Sequence, residues 1–319
     1  MPELPEVETV RRRLEPHVAG RRLTHVEVRD TKLVGRDDAR RVEERLTGRT
    51  ILAIDRRGKY LLFRLDGEET LVSHLRMTGN WLLCADGEPK YTRAVLAFSD
   101  ATLVAYADAR RFGTWDLLTN DETAAYLAAR LGPEPIDSEF DGAVLKAAFA
   151  GRRAPVKALL LDQRLVAGVG NIYADEALWR AKIHPLTPAN KLRPAQIEAL
   201  HLAIVSVLSE AVAARGSSIN DYTAPDGDGE MQERLDVYQR TGEPCHRCGA
   251  AIQRSVVGGR GTHVCRTCQR PPRGTARAVT SRVVRGPRWS ERVTPETVGA
   301  TRSERAAARR RSARQGEAA

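Results

Sequence analysis

The sequence predicts a two-domain α+β protein: an N-terminal helix plus a β-sandwich, then a helical domain ending in a metal-binding β-hairpin. Three observations predict it. Eight short apolar or β-branched segments lie between Leu23 and Leu118, helical periodicity takes over from Asp137, and two Cys-x-x-Cys pairs stand sixteen residues apart between Cys245 and Cys268. At 319 residues the chain is long enough for each part to bury its own core.

The elements follow in order. Residues 5–18 place Val7, Val10, Leu14 and Val18 on one face, with Arg11, Arg12 and Arg13 mostly off it, which is the spacing of an amphipathic helix. Residues 23–28, 50–54, 60–65, 70–75, 81–84, 94–98, 103–107 and 114–118 read as strands separated by Gly, Asp and Asn. Gly132-Pro133-Glu134-Pro135 marks the break between the halves, and helices are expected over 137–149, 155–161, 171–181 and 194–215. A long turn over 161–170 joins two of them. Gly168 and Gly170 let its backbone approach a partner, and Asn171 is placed both to cap the next helix and to present an amide. A glycine-preceded helix N-terminus suits a phosphate, and an ordinary interhelical turn accounts for the same residues.

Cys245, Cys248, Cys265 and Cys268 have the spacing of a structural zinc site, in which four thiolates close the tetrahedron and leave no open position for catalysis. Two disulfides are the competing account, opposed by the reduced state of cytosolic thiols. Between the pairs, residues 251–257 and 262–264 read as two strands, with Arg260 at the tip of a Gly258-Gly259-Arg260-Gly261 turn. Cys84 stands alone in an apolar segment and reads as a small core residue.

The net charge of +10 points to a polyanionic partner, but its distribution matters. From Pro271 onward there are 12 Arg and 4 acidic residues, whereas the first 270 residues carry 39 basic and 37 acidic ones. The excess thus lies in a tail without apolar periodicity, which reads as disordered. In the rest, positive charge is local: Arg247, Arg254, Arg260 and Arg266 share the cysteine hairpin with no acid. No segment reads as a membrane span or signal peptide, so a cytoplasmic, nucleoid-associated protein is expected.

The first residues, Met1-Pro2-Glu3-Leu4-Pro5-Glu6, admit two readings. Proline and glutamate at a helix start suit its geometry and dipole. Alternatively, removal of Met1 exposes a secondary amine on Pro2, with a pKa near ~8, that is able to condense with an aldehyde-like carbon.

Several motifs decide between these readings: MPELPEVE at the start, RRGKYL around Lys59, HLRMTG from His74, DARRFG from Asp108, LDQRLVAGVGNIYADEAL from Leu161, and the cysteine hairpin. Together, from Pro2 to about Arg270, they resemble the formamidopyrimidine-DNA glycosylase family, bacterial enzymes that excise oxidised purines and then cut the strand. The resemblance implies a helix-two-turn-helix DNA-binding domain and a four-cysteine zinc finger, with units at 1–132, 133–240, 241–270 and a tail at 271–319. It implies one structural Zn²⁺, a monomer, and double-stranded DNA containing oxidised purines or abasic sites as partner.

By the same resemblance Pro2 is the nucleophile, Glu3 handles the proton at the sugar ring, Glu6 supports the amine's geometry, and Lys59 binds phosphate near the lesion and assists base release. Met77, Arg110 and Phe112 fill the gap left by a flipped base, as apolar wedges and an orphan-base partner should. His74, Lys157, Asn171 and Arg260 match phosphate-proximal positions. Ser217, Ser218 and Tyr222 belong to the loop that covers the everted base. The chain departs from the pattern at Gly229-Glu230-Met231 and at Gln239, which bears on base preference. Two other readings stand beside this one: an endonuclease VIII-like enzyme for oxidised pyrimidines, which Leu4, Val7, Arg110 and Phe112 disfavour, and a non-catalytic damaged-DNA-binding protein, which retention of Pro2, Glu3, Glu6 and Lys59 disfavours.

Overall fold

The computed structural model describes residues 2–35, 37–218 and 229–272. Its first helix, α1 (Leu4–Val18), buries Val7, Val10, Leu14 and Val18 as the periodicity predicts, and Leu4 with them. The chain then runs through β1 (Arg21–Val28), α2 (Ala39–Leu46), β2 (Thr50–Arg57), β3 (Tyr60–Leu65), β4 (Glu69–His74), β5 (Asn80–Leu83), β6 (Thr92–Phe98), β7 (Leu103–Ala107), β8 (Thr114–Thr119) and α3 (Asn120–Ala128). All eight predicted strands form. Their hydrogen-bonded order is β5-β7-β6-β1-β2-β3-β4-β8, antiparallel throughout.

Strand β1 makes this ribbon a sandwich. Arg21 and Arg22 pair with β2, while Leu23 onward pairs with β6, so β1 passes from one layer to the other at an irregularity between Leu23 and His25. The two ends of the ribbon then face each other. Trp81 on β5 stacks on Trp115 on β8 with centroids 4.9 Å apart, and Phe63 and Tyr106 pack at their edges.

The second half comprises α4 (Gly142–Phe149), α5 (Val156–Leu160), α6 (Asn171–Arg180) and α7 (Pro194–Ala213), followed by the hairpin β9 (Gln253–Val257) and β10 (Arg260–Val264). Leu145, Phe149, Val156, Leu160, Tyr173, Ala177, Ile204 and Val207 share one core. By length and composition α7 is apolar enough to cross a membrane, but its Ile197, Leu200, Ile204, Val207 and Leu208 are buried in that core.

Three expectations are corrected. Helix α4 begins at Gly142 and not at Asp137, because the Asp141 side chain caps it by accepting Val144 N–H at 2.8 Å. Helices α2 and α3 are additions to the predicted elements: α2 (ARRVEERL) buries only Val42 and Leu46, and α3 buries only Thr123, too few apolar positions to show a period. Cys84 is half-buried, not a core residue. Tyr222 and the tail from residue 273 onward lie outside the described residues.

The halves are joined by a buried carboxylate. Glu134 accepts Gly58 N–H at 2.8 Å and Arg57 Nη1 at 2.7 Å and also holds Arg56, while Arg57 Nη2 reaches Gly132 O at 2.7 Å. Removing one partner of such a cluster leaves buried charge uncompensated. Glu134→Ala should therefore destabilise the protein by about 3–5 kcal/mol, read as a lower urea midpoint with unchanged slope. A loss within about 0.5 kcal/mol, the range of ordinary surface substitutions, would show that the cluster does not join the halves.

Candidate active site and nucleic-acid interface

Pro2 and Glu3 enter the interface between α1 and the turn before α6, and both are buried. Glu3 Oε1 accepts the backbone N–H of Ile172 at 3.0 Å, so this carboxylate from the chain start satisfies the N-terminus of α6. This corrects the expectation for Asn171. Gly170 is the residue before the helix, Asn171 is its first residue, and the capping acceptor comes from Glu3. A Cβ on Gly170 would lie 2.5 Å from Glu3 Oε2, so glycine is required for the approach. Leu4 N–H donates to Gly168 O at 3.2 Å and fastens the same two segments.

Glu6, one turn along α1, accepts four hydrogen bonds. Its Oε2 takes Glu3 N–H at 2.8 Å, and its Oε1 takes the Tyr173 hydroxyl at 2.5 Å and Ser217 N–H and Oγ at 2.8 and 3.1 Å. Lys59 stands in the turn between β2 and β3 and is buried, its Nζ donating to Val169 O at 3.0 Å. Burial pushes the Glu3 carboxyl upward, with Lys59 opposing and Glu6 adding to the rise. Burial pushes the Lys59 ammonium downward, with Glu3 and Glu6 opposing. Next to Pro2 there is thus a carboxyl disposed to hold a proton, with an amine disposed to release one close to that carboxyl, a pairing suited to general acid–base work.

The cysteine hairpin packs on this corner. Its turn is the two-residue pair Gly258-Gly259, with φ of 56° and 73°, the left-handed pair that a tight antiparallel hairpin favours. Arg260 is therefore the first residue of β10, paired with Val257, and not the tip of the turn. It is exposed, and its charge bears on Lys59 and Lys157. Lys157, expected at a phosphate, lies inside with 0% of its side chain exposed. Its Nζ contacts Gly261 O at 2.9 Å, Thr262 Oγ1 at 2.8 Å and Asp175 Oδ1 at 2.6 Å. Asn171 Nδ2 reaches the same Gly261 carbonyl at 3.0 Å, and Asp175 Oδ2 accepts His263 N–H at 2.8 Å. Lys157 and Asn171 thereby position the hairpin that carries Arg260.

The ligand atoms of Cys245, Cys248, Cys265 and Cys268 all lie within 4.8 Å of one another, a separation that fits one tetrahedral Zn²⁺. Gln269 locks the base of this site, accepting Cys265 N–H at 3.0 Å and donating to Ile183 O at 2.9 Å.

Met77 lies in the β4–β5 turn and Arg110 and Phe112 in the β7–β8 loop, and one buried carboxylate clamps the two loops. Asp108 holds the Thr78 hydroxyl and accepts N–H groups of Arg110, Phe112 and Gly113 at 3.0, 2.9 and 2.8 Å. Phe112 is consequently 52% exposed despite its size, with the Arg110 guanidinium 5.0 Å from its ring centroid. Arg111, between them, pairs with Asp30 at 2.5 and 2.8 Å. His74 is buried against Tyr60, and burial lowers its pKa to about 3. Ser217 and Ser218 are buried and bound to Glu6 and Gln232 respectively. Tyr173, Asp108 and Asp175 are not among the expected site residues, nor is Gln163, which accepts Gly168 N–H at 2.9 Å and donates to Val169 O at 2.8 Å. Asp108 and Asp175 lie inside quoted motifs, but nothing local shows that they are buried acceptors.

These features define a class: a protein that buries the first residues of its chain between a β-sandwich and a helical domain, beside a cation-bearing metal hairpin. Family models agree, matching the formamidopyrimidine-DNA glycosylase N-terminal domain over residues 1–115, the H2TH domain of the same enzyme over 131–223, and the zinc finger found in FPG and IleRS over 242–271. The chain is 47% identical over 275 residues to the formamidopyrimidine-DNA glycosylase of Bacillus licheniformis, covering 85% of this chain and 100% of that one. Identity to the Lactococcus lactis subsp. lactis enzyme is 45% over 272 residues, covering 84% and 99%. Crystal structures of the Lactococcus lactis enzyme with N7-benzyl-Fapy-dG DNA and with abasic-site DNA both match with a TM-score of 0.80 at 43% identity, over 85% of this chain and 100% of theirs. The chain belongs to the formamidopyrimidine-DNA glycosylase family.

Two outcomes follow from this geometry. The unfolded chain takes up a proton on His74 below pH ~6.5 while the folded one does not until about 3, so this residue removes stability as pH falls through that window, by about 1.4 kcal/mol per unit. Urea titrations between those limits should show a shallower pH slope for His74→Asn, which keeps an acceptor, and equal slopes would contradict the assignment. Cys248→Ser, or chelation of the metal, should remove one zinc ion per chain and weaken DNA binding by releasing the Arg260 hairpin. Undiminished affinity in the metal-free protein would sever that connection.

Proposed function

We propose that this protein is a bifunctional DNA glycosylase and AP lyase of base excision repair, acting as a monomer on duplex DNA that contains 8-oxoguanine, formamidopyrimidines or abasic sites. The observation that carries the reading is the corner around Pro2: the residue that becomes a terminal secondary amine once Met1 is removed is followed by a buried carboxyl held toward its protonated form, with a buried lysine near that carboxyl. The zinc supplies structure alone, since four cysteines fill its coordination sphere.

The reaction runs through chain residues. With Met1 removed, the neutral Pro2 nitrogen forms a bond to C1′ as the C1′–base bond breaks; the base leaves with its electron pair and takes up a proton, and the Pro2 nitrogen loses its N–H proton and so regains the lone pair that opens the ring. Glu3 delivers a proton to the sugar ring oxygen, so that the ring opens to an iminium. Glu6 holds Glu3's backbone and hence the amine. The iminium then acidifies the C2′ protons. Loss of one expels the 3′ phosphate, and a second elimination expels the 5′ phosphate, leaving a cut strand and a single-nucleotide gap after the iminium is hydrolysed.

Met77, Arg110 and Phe112 serve as the wedge, with Arg110 facing the base left unpaired. Arg260 binds phosphate at the extruded nucleotide, with Lys157 and Asn171 setting its hairpin, and Ser217, Ser218 and Tyr222 belong to the loop over the everted base. The units follow residues 1–132, 133–240 and 241–270, the basic segment 271–319 adds salt-sensitive nonspecific affinity, and the protein works inside the cell in association with the nucleoid.

Borohydride added during turnover should fix the protein to a duplex carrying 8-oxoguanine opposite cytosine, and Pro2→Gly, which replaces the ring-held secondary amine by a flexible primary one, should largely abolish trapping and cutting. Faster cutting of thymine glycol than of 8-oxoguanine would move the protein to the pyrimidine-specific branch. Absence of any covalent adduct would leave only a damage-binding role.

A further inference from the structure

Arg76 precedes Met77 in the β4–β5 turn and has φ of 54°. An L-residue held in this left-handed region carries about 1–2 kcal/mol of strain, and strain of this kind gathers at ligand-contacting segments. His74 holds the conformation by accepting Arg76 N–H on Nδ1 at 2.9 Å. The Arg76 side chain is exposed. Among the described residues no carboxylate or carbonyl takes its guanidinium, unlike Arg111, which Asp30 holds, and Arg93, which reaches Asp108 O.

Its surroundings are cationic. Arg76 and Lys59 both bear on His74, and Arg260 bears on Lys59, so Arg76 continues a line of positive charge from the hairpin past the terminal amine to the wedge. The Thr78–Asp108 clamp sets this turn against the loop of Arg110 and Phe112. A guanidinium carried at that edge by a backbone that His74 holds matches a phosphate oxygen. The buried His74, expected at a phosphate, is in this arrangement the residue that aims Arg76.

We infer that Arg76 is a further DNA contact, binding a backbone phosphate beside the wedge and contributing affinity without reading the base. This inference rests on the DNA glycosylase reading. Glycine adopts the same φ without strain, which makes Arg76→Gly a clean removal of the charge.

Dissociation constants would be measured for wild type, Arg76→Gly and Arg76→Lys across a salt series, on undamaged duplex and on duplex with a tetrahydrofuran abasic analogue. Loss of one phosphate contact should lower the log–log salt slope by about 0.9 and weaken binding roughly 8-fold near 0.1 M salt. The loss should be the same on both duplexes, because phosphates carry no base information. The melting temperature of Arg76→Gly should equal or exceed that of wild type, and Arg76→Lys should restore the slope. An unchanged slope in Arg76→Gly, a loss confined to one duplex, or no recovery in Arg76→Lys would overturn the inference. Borohydride trapping by the same wild-type preparation separates the two readings. Trapping with an unchanged slope removes only the Arg76 contact, and a changed slope without trapping removes only the enzymatic reading.

Discussion

The Glu3 carboxylate at the N-terminus of α6 is the interaction on which the site depends. It joins the first residues of the chain to a helix more than 160 positions away, through a hydrogen bond of 3.0 Å to Ile172 N–H. A chain terminus is ordinarily the least ordered part of a protein. Here it is held by Glu3 on α6, by Leu4 N–H on Gly168 O, and by Glu6, which binds Glu3 N–H and is itself held by Tyr173 and Ser217. The same contacts that order the terminus exclude water from it. Exclusion of water raises Glu3 and lowers Lys59, so structural anchoring and chemical tuning have one cause.

Buried carboxylates recur as the fastening device elsewhere. Asp108 gathers three backbone N–H groups and the Thr78 hydroxyl to set the β4–β5 turn against the β7–β8 loop. Asp175 pairs with Lys157 and holds the hairpin through His263 N–H. Glu134 joins the sandwich to the turn beyond it. In each case a short acceptor organises several donors from separate segments, which fixes loop geometry more tightly than apolar contact alone. The exposed groups then project from segments that these acceptors fasten, Arg110, Phe112 and Arg76 from loops and Arg260 from the start of β10.

Much of this was legible in the sequence, for identifiable reasons. Strands and long helices carry their period in apolar residues, so all eight sandwich strands and α1, α5, α6 and α7 were found nearly at their bounds. The zinc site was legible because ligand spacing is a local property. Helices α2 and α3 were not, since two or one buried residues make no pattern. The residues alone offer Pro2 as one of two readings and leave Lys59 unmarked, because nothing local distinguishes a buried lysine from a solvated one, and only resemblance singles out Pro2, Glu3 and Lys59 together. Asn171 as a cap and Arg260 as a turn tip were misplaced by one step each: the true cap arrives from Glu3, and the two glycines alone complete the turn. Long-range acceptors such as Asp108, Asp175 and Tyr173 leave no local trace.

The central claim is that contact between Glu3 and the start of α6 holds the amine in its reactive place. Gly170→Ala tests it without altering any reactive group, because the added methyl falls on the Glu3 carboxyl. The measurement is the single-turnover rate of borohydride trapping on abasic-site DNA, made on protein shown to retain its zinc and its cooperative unfolding. The account predicts a loss of about 100-fold or more, the order expected when reacting groups are displaced by about 1 Å. A variant that folds, keeps its zinc and traps at the wild-type rate would contradict it.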